Sequence, residues 1–204
     1  MNSGKKNEWI QTYTDKKFYA FDPKPEQICI EDIAHALSNV CRFSGHCNRF
    51  YSVAEHSWIM AEEMIHEYDA TDDEIMWCLL HDASEAYIQD IPAPFKRFFP
   101  DYKECEDRIM KAVANKFGLS YPIPKAVKKL DIGILKTERE QLFDITHPKT
   151  FAMEDIWGIE RVDVEPIDRK ISCWVSEAAE VNFLEMYETV CGFVEEKFSI
   201  KEVR

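Results

Sequence analysis

The sequence predicts an all-α fold, a single-domain helical bundle with one small β-hairpin near the N-terminus. From Ile30 onward, apolar residues recur at intervals of three and four, which is the spacing of helices with one buried face. Two Ser or Thr residues are each followed three positions later by Glu, a pattern that opens helices. The chain has 204 residues, 46% of them hydrophobic, with six Gly and nine Pro. One domain over 1–204 is therefore expected, and a mainly disordered chain is excluded.

The first elements are a hairpin and a helix. Within the N-terminal hairpin region 1–29, β-prone residues in segment 10–21 flank a polar pair and predict two short strands. The apolar positions that follow predict a first helix over about 31–41.

The second and third helices are predicted by their N-terminal signals. The two capping pairs are Ser52 with Glu55 and Thr71 with Glu74. The second helix is expected to run to about Tyr68. The third carries the apolar run 75–80, so we expect it to be buried on most sides, and its continuation ends at Pro92 and Pro94.

Three further helices and one loop complete the predicted bundle. Asp101 with Glu104 predicts the start of a fourth helix that stops at Gly118. A fifth helix follows Pro122 and Pro124 and runs to about residue 143. The remaining prediction is an irregular loop with one short strand over 146–167, then a long C-terminal helix over 168–198.

The chain is acidic, with 25 Lys and Arg against 38 Asp and Glu and a net charge of −13. Such a field repels a phosphate backbone, so we expect no duplex nucleic acid partner. The longest apolar run is far too short for a membrane span, and no signal peptide is recognisable. Seven scattered Cys without a C-x-x-C pair indicate reduced thiols. We therefore expect a cytoplasmic protein with no membrane partner.

Polar residues interrupt the apolar faces of three predicted helices. His56 lies on the second helix, the pair His81-Asp82 ends the apolar run of the third, and Asp131 lies on the fifth. Each alone is typical of an ordinary structural residue. Buried together, however, they are costly unless one shared divalent cation satisfies all four groups. Imidazole and carboxylate ligands accept Mn, Co, Fe, Ni, Zn or Mg, so the sequence predicts one metal site without fixing the ion.

Two acidic residues lie close to this predicted site along the chain. Glu85 is four residues after His81, which on a helix places its carboxylate on the same face. There it can act as a general acid or base without being a ligand. Asp90 follows where the helix is expected to end and can point back into the same cavity.

An anionic substrate needs cationic partners in this acidic chain. The candidates are Arg42, Lys96, Arg97 and Arg139. Arg42 is the strongest candidate, because Phe43 and His46 beside it can also line a pocket.

At these residues the chain resembles the HD-domain metal-dependent phosphohydrolases. Their pattern of a His, a His-Asp pair and a distant Asp is matched by His56, His81-Asp82 and Asp131. The run HDASE at 81–85, followed by DIPAP at 90–94, resembles the 5'-deoxynucleotidase branch.

A second set of motifs resembles a phage and prophage group of the same superfamily even more closely. These motifs are LSN, CRF, GH, YSV and EH, within residues 37–56. The resemblance covers roughly residues 10–142, about two thirds of the chain.

The resemblance implies that the two His and two Asp residues hold one divalent cation against a nucleotide phosphate. It also implies that Glu85 supports hydrolysis, that Arg42 binds phosphate and that Phe43 disfavours a ribose 2'-hydroxyl. The 5'-deoxynucleotidase branch has Trp at the position of Phe43, so rejection of ribonucleotides stays open. By the same comparison, Asp90 contacts the sugar or a chain of waters.

The function expected first is a metal-dependent 5'-deoxynucleotidase, with Glu85 and Asp131 as catalytic residues and Asp131 orienting the attacking water. The alternative is a deoxynucleoside triphosphate triphosphohydrolase of phage or prophage nucleotide metabolism. A phosphodiesterase is disfavoured, because the extra His ligands of a second metal are not found. An alternative of another class is a catalytically inactive, metal-containing regulator that binds nucleotides. The expected partners are a small nucleotide and, through the last helix, a second copy of the chain in a homodimer.

Overall fold

The N-terminal element is the predicted β-hairpin. Strands β1 (Ile10–Gln11) and β2 (Lys17–Phe18) pair antiparallel. Phe18 is fully buried and stacks on Tyr87, with 3.8 Å between ring centroids, so the hairpin is anchored to the helices. The computed structural model describes residues 8–66, 69–143 and 163–202, with side chains up to residue 192.

Helices make up the rest of the regular structure in these residues, which confirms the all-α prediction. They are α1 (Ile30–Asn39), α2 (Val53–Ile65), α3 (Asp72–Leu80), α4 (Glu85–Ile88), α5 (Ala93–Lys96), α6 (Pro100–Phe117), α7 (Lys125–Leu142) and α8 (Ser176–Glu202). A short 3-10 helix lies at 25–27, and a tight turn at 42–45 holds Phe43 and Ser44 in left-handed conformations. None of the helices described is long and apolar enough to span a bilayer.

Local signals set several of these helix ends. The Thr71 hydroxyl accepts from the Glu74 N–H, and the Glu74 carboxylate accepts from the Thr71 N–H, as the capping pattern predicts. At Ser52 only one of the two capping hydrogen bonds forms, the one from the Glu55 N–H to the Ser52 hydroxyl. The Glu55 carboxylate does not return to Ser52, because it accepts from backbone N–H groups elsewhere. Gly118 ends α6 with a φ of 68°, a left-handed conformation that suits glycine.

The core lies between α1, α2, α3 and α8. Helix α3 is central, as predicted, because every residue from 75 to 80 is buried. Trp77 on this helix is fully buried and donates its indole N–H to the Ser120 carbonyl at 2.7 Å. Phe183 places α8 in the same core.

The predicted continuation of the third helix towards Pro92 is wrong. Helix α3 ends at Leu80, a tight turn follows, and α4 starts at Glu85. The physical reason is that the backbone hydrogen bonds here join residues three apart instead of four apart. The Glu85 N–H, for example, donates to the Asp82 carbonyl at 2.9 Å. In addition, the His81 imidazole bonds the Cys78 carbonyl at 2.9 Å and so satisfies a carbonyl of the last turn. Glu85 therefore does not share a continuous helix with His81.

Three other predicted boundaries differ. Helix α2 ends at Ile65, before the predicted end near Tyr68, and residues 67–68 lie outside the described residues. Helix α6 begins with Pro100 and has no side-chain cap, because Glu104 pairs with Arg108 instead. The last helix begins at Ser176 rather than at 168.

Segment 163–175, ahead of the last helix, is irregular because its backbone bonds to the helical body. The Thr137 hydroxyl donates to the Ile167 carbonyl at 2.8 Å, and Glu55 binds the N–H groups of residues 172–174. Most of the predicted loop over 146–167 lies outside the described residues, and its described end, 163–167, contains no strand.

Candidate metal centre

Helix α2, the turn after α3 and helix α7 bring the four predicted metal ligands to one place. His56 Nε2 lies 3.2 Å from His81 Nε2 and 3.4 Å from Asp131 Oδ1. His81 Nε2 lies 3.1 Å from Asp82 Oδ2. Donor atoms of His56, His81 and Asp82 all fall within 4.8 Å of one another, and Asp131 joins them through His56.

The donor chemistry of this cluster fits a divalent cation. The Nδ1 atoms of both imidazoles face acceptors, a Glu138 oxygen for His56 and the Cys78 carbonyl for His81. Each Nδ1 therefore carries its proton, and in the neutral rings both Nε2 lone pairs face each other. Two lone pairs at this distance require a proton or a cation between them. Two imidazoles with two carboxylates form a ligand set that suits borderline and hard divalent ions.

The electrostatics of the same cluster favour cation binding. Burial and the Arg42 charge oppose protonation of His56, yet Glu138 and Asp131 raise its pKa to about 9, so a proton occupies the metal-free cluster at neutral pH. Although burial opposes ionisation of Asp82, the neighbouring His81 holds the pKa of that carboxyl well below its usual range. The pKa of Asp131 is lowered in the same way by its hydrogen bond to His56.

Glu138 is a central residue that the sequence analysis missed. Its side chain is fully buried, with Oε1 2.6 Å from His56 Nδ1 and Oε2 2.9 Å from Arg42 NH2. Burial opposes ionisation, but the charges of Arg42 and His56 lower the pKa of Glu138. One signal was available, since Glu138 follows Asp131 by seven residues and so lies on the same face of α7.

Arg42 lies against carboxylates of the cluster. Its NH1 is 3.5 Å from Asp82 Oδ2, and its side chain is 11% exposed. Burial opposes the charge, but Glu138 raises the pKa of the guanidinium above its ordinary value. The guanidinium carbon also lies 5.2 Å from the ring centroid of Phe43, and that ring meets Phe143 edge-on. Arg42 therefore lies next to Asp82, and Phe43 lies against Arg42.

Glu85 lies beside the cluster in a nearly closed environment. Its side chain is buried, and Oε2 has no hydrogen-bond partner in the described part of the chain. Burial, then the charges of Asp82 and Asp90, raise the pKa of Glu85 well above its ordinary value, which favours the protonated form of its carboxyl group. Burial also raises the pKa of Asp90, which is hydrogen bonded to Glu85.

The other predicted substrate-binding residues have different surroundings. Lys96 donates to Glu106 at 2.8 Å, and this bond and the charge of Glu106 raise the pKa of Lys96 against the effect of burial. His46 is exposed, and no contact in the described chain joins it to the cluster, so its predicted place in a pocket gains no support. Arg97 is exposed and lies over the Phe98 ring at 4.7 Å.

Comparisons with known proteins cover the same part of the chain. A family model described as the HD domain matches residues 35–128, a span that includes His56 and the His81-Asp82 pair. The chain is 42% identical to the uncharacterized protein YfdR of Escherichia coli K12 over 134 residues. The aligned region is 66% of this chain and 72% of that relative. It is 36% identical over 147 residues to an uncharacterized protein of Rhodobacter capsulatus, covering 67% of this chain and 74% of the relative.

Proposed function

Since the chain belongs to the HD-domain superfamily, whose members are generally metal-dependent hydrolases, we propose that it is a nucleotide phosphohydrolase. The reaction proposed is release of orthophosphate from 5'-deoxynucleoside monophosphates. Water attacks phosphorus, the bond from phosphorus to the 5'-oxygen breaks, and that oxygen takes a proton to give the nucleoside.

The observation that carries this proposal is the approach of the two Nε2 atoms to 3.2 Å beside two carboxylates. We assign His56, His81, Asp82 and Asp131 as ligands of one divalent cation, drawn from Mn, Co, Fe, Ni, Zn and Mg. When bound, such a cation activates water and neutralises charge on the phosphoryl oxygens. Asp131, with a side chain 39% exposed, is the ligand best placed to accept a hydrogen bond from an incoming water.

Glu85 is proposed as the general acid. It is buried, its raised pKa favours the carboxylic acid form, and its Oε2 has no hydrogen-bond partner in the described structure. A carboxylic acid in this state can pass its proton to the leaving 5'-oxygen. Asp90 is hydrogen bonded to Glu85 and is proposed to hold its carboxyl group in place.

The remaining groups are proposed to bind the nucleotide. Arg42 and Lys96 provide positive charge in a chain of net charge −13, which an anionic phosphate requires. Phe43 packs under Arg42 and is proposed to face the sugar, with Asp90 on its hydroxyl groups. Because Phe is smaller than Trp, partial hydrolysis of ribonucleotides is expected.

The test is a panel of nucleotides assayed with each of the six cations after chelation of the purified full chain. We expect orthophosphate and nucleoside from deoxynucleoside monophosphates, no turnover in excess chelator, and recovery on readdition of a cation. Tripolyphosphate released from a deoxynucleoside triphosphate instead would identify a triphosphohydrolase, the alternative suggested by the phage-like motifs. A ratio of rates for deoxyribo- and ribonucleotides tests the role of Phe43.

Replacement of Glu85 separates an enzyme from an inactive regulator. Glu85→Gln removes the transferable proton at nearly constant shape, so we expect turnover to fall by about 10²–10⁴-fold with unchanged metal content. The matched control is Glu31→Gln, on the exposed face of α1, which should keep full activity. A wild-type chain that binds metal and nucleotide but hydrolyses nothing would support the regulator.

A further inference from the structure

We propose that Glu138 is a positioning residue that fixes His56 and Arg42 to each other through its two carboxylate oxygens. This inference rests on the proposed function, because it assigns Glu138 a role in preparing both the cation site and the phosphate site. Nothing in the sequence motifs singles out this residue, which lies on α7 beyond Asp131.

The first part of the argument is the orientation of His56. Glu138 Oε1 lies 2.6 Å from Nδ1 of His56, and both side chains have 0% exposure. A carboxylate can only accept, so the Nδ1 proton is held on this bond and the ring cannot turn over. The opposite nitrogen, Nε2, then faces His81 and Asp131, as a metal ligand must.

The second part concerns the other oxygen of the same carboxylate. Glu138 Oε2 accepts from Arg42 NH2 at 2.9 Å, and Arg42 NH1 lies 3.5 Å from Asp82 Oδ2. A single buried carboxylate therefore sets the ring of His56 directly and reaches Asp82 through the guanidinium. Arg42 in turn is held at the edge of the donor set, where an anion bound to the cation would meet it.

The third part is the cost of the arrangement. A carboxylate with no exposure is strongly unfavourable unless its oxygens are paired. A merely structural link between α7 and α2 needs no charge at this depth, because well-packed apolar residues of similar volume commonly replace a buried ion pair without loss of stability. Both carboxylate oxygens of Glu138 bond to residues of the proposed site, His56 and Arg42. This arrangement favours a role for Glu138 in orienting these two residues.

The replacement Glu138→Gln gives the sharpest test. The amide oxygen still accepts from His56, but the amide NH2 meets the Arg42 guanidinium, so the side chain can no longer serve both partners. We expect the dissociation constant for Mn²⁺, measured by calorimetry on the chelator-treated full chain, to rise by about 10–100-fold. The KM for the nucleotide is expected to rise as well, since Arg42 loses its fixed position.

The matched control is Glu140→Gln, an exposed position on the same helix with the same chemical change, which should bind Mn²⁺ like the wild type. If Glu138→Gln does not fold, Glu138→Asp takes its place. Its shorter side chain keeps the charge but reaches only one partner, and an intermediate loss of affinity is expected.

The outcomes separate this inference from the proposed function. A variant that unfolds at a lower temperature but binds Mn²⁺ as tightly as Glu140→Gln shows a structural role and overturns the inference alone. A wild-type chain that binds no divalent cation overturns both. Weaker Mn²⁺ binding in Glu138→Gln, with normal binding in Glu140→Gln, supports the positioning role.

Discussion

Asp32 shows how a single buried carboxylate contributes to this fold away from the metal centre. It is 3% exposed and accepts hydrogen bonds from the Thr14 N–H at 2.7 Å, the Thr14 hydroxyl at 3.0 Å and the Cys29 thiol at 2.9 Å. Burial alone would favour the protonated form, but the bonds from Cys29, Thr14 and Thr12 outweigh it and lower the pKa of Asp32 from its ordinary 3.8. The ionised form therefore ties the hairpin to the first turn of α1.

The pH dependence of this contribution has a definite sign. Because the pKa is lower in the folded chain, the stabilisation is fully present above about pH 4 and is lost as the pH falls through the folded value. Asp32→Asn should lower the free energy of unfolding by about 1–3 kcal/mol at pH 7, with a smaller difference at pH 3. Urea denaturation at both pH values measures this, with the exposed Asp168→Asn as control. A difference that grows on acidification would contradict the assignment.

At the scale of elements, Glu55 connects the start of α2 to the segment that enters α8. Its carboxylate accepts from three successive backbone N–H groups, those of Ser172 at 3.0 Å, Cys173 at 2.9 Å and Trp174 at 2.6 Å. Cys173 has a φ of 59°, a left-handed conformation that turns neighbouring N–H groups towards one point. The strain at Cys173 is thus offset by a buried carboxylate.

Removal of the Glu55 charge should destabilise segment 172–174, which leads into α8. In Glu55→Gln, one carboxylate oxygen becomes an NH2 group that faces backbone N–H donors, so at least one donor loses its acceptor. We expect a loss of about 2–4 kcal/mol in unfolding free energy. Amide hydrogen exchange should also quicken at residues 172–174 before it quickens in α3. The exposed Glu188→Gln on α8 is the control, and equal exchange in the two variants would show that Glu55 is not the anchor.

For the whole molecule, the proposed cation joins residues from α2, from the turn after α3 and from α7. A ligand that binds only the folded chain stabilises it by RT ln(1 + [L]/Kd), about 2.7 kcal/mol at one hundred times Kd. For a chain of this size we expect Mn²⁺ to raise Tm by roughly 5–10 °C, reversed by chelator. Differential scanning fluorimetry measures this shift. His81→Ala removes one ligand and should abolish it, whereas an equal rise would instead reflect screening of the net charge of −13.

Several properties of the whole molecule stay predictions. The homodimer through the last helix, the cytoplasmic location and the phage-type metabolic setting rest on the sequence alone. Sedimentation of the purified chain would settle the first of these, since a dimer has twice the mass of 24.0 kDa.

The sequence by itself determined the helical class, the positions of most helices and the candidate metal ligands. Helical spacing and end signals such as Thr71 with Glu74 act within one turn, so they are readable without knowledge of the fold. Likewise, His56, His81-Asp82 and Asp131 stand out because they interrupt apolar faces. Where local signals compete, as at the turn after Leu80 or at the start of α8, the predicted boundaries were wrong.

Only the tertiary structure decided which groups meet. The partner of His56 Nδ1 is Glu138, 82 residues away, and the partners of Glu55 are more than 100 residues away. In the sequence, Glu138 is one of several charged residues on α7, and nothing marks it as buried. Its role becomes visible only when α7 packs against α2. The physical reason is that periodicity and capping depend on neighbours along the chain, whereas the partner of a buried charge depends on how separate helices pack.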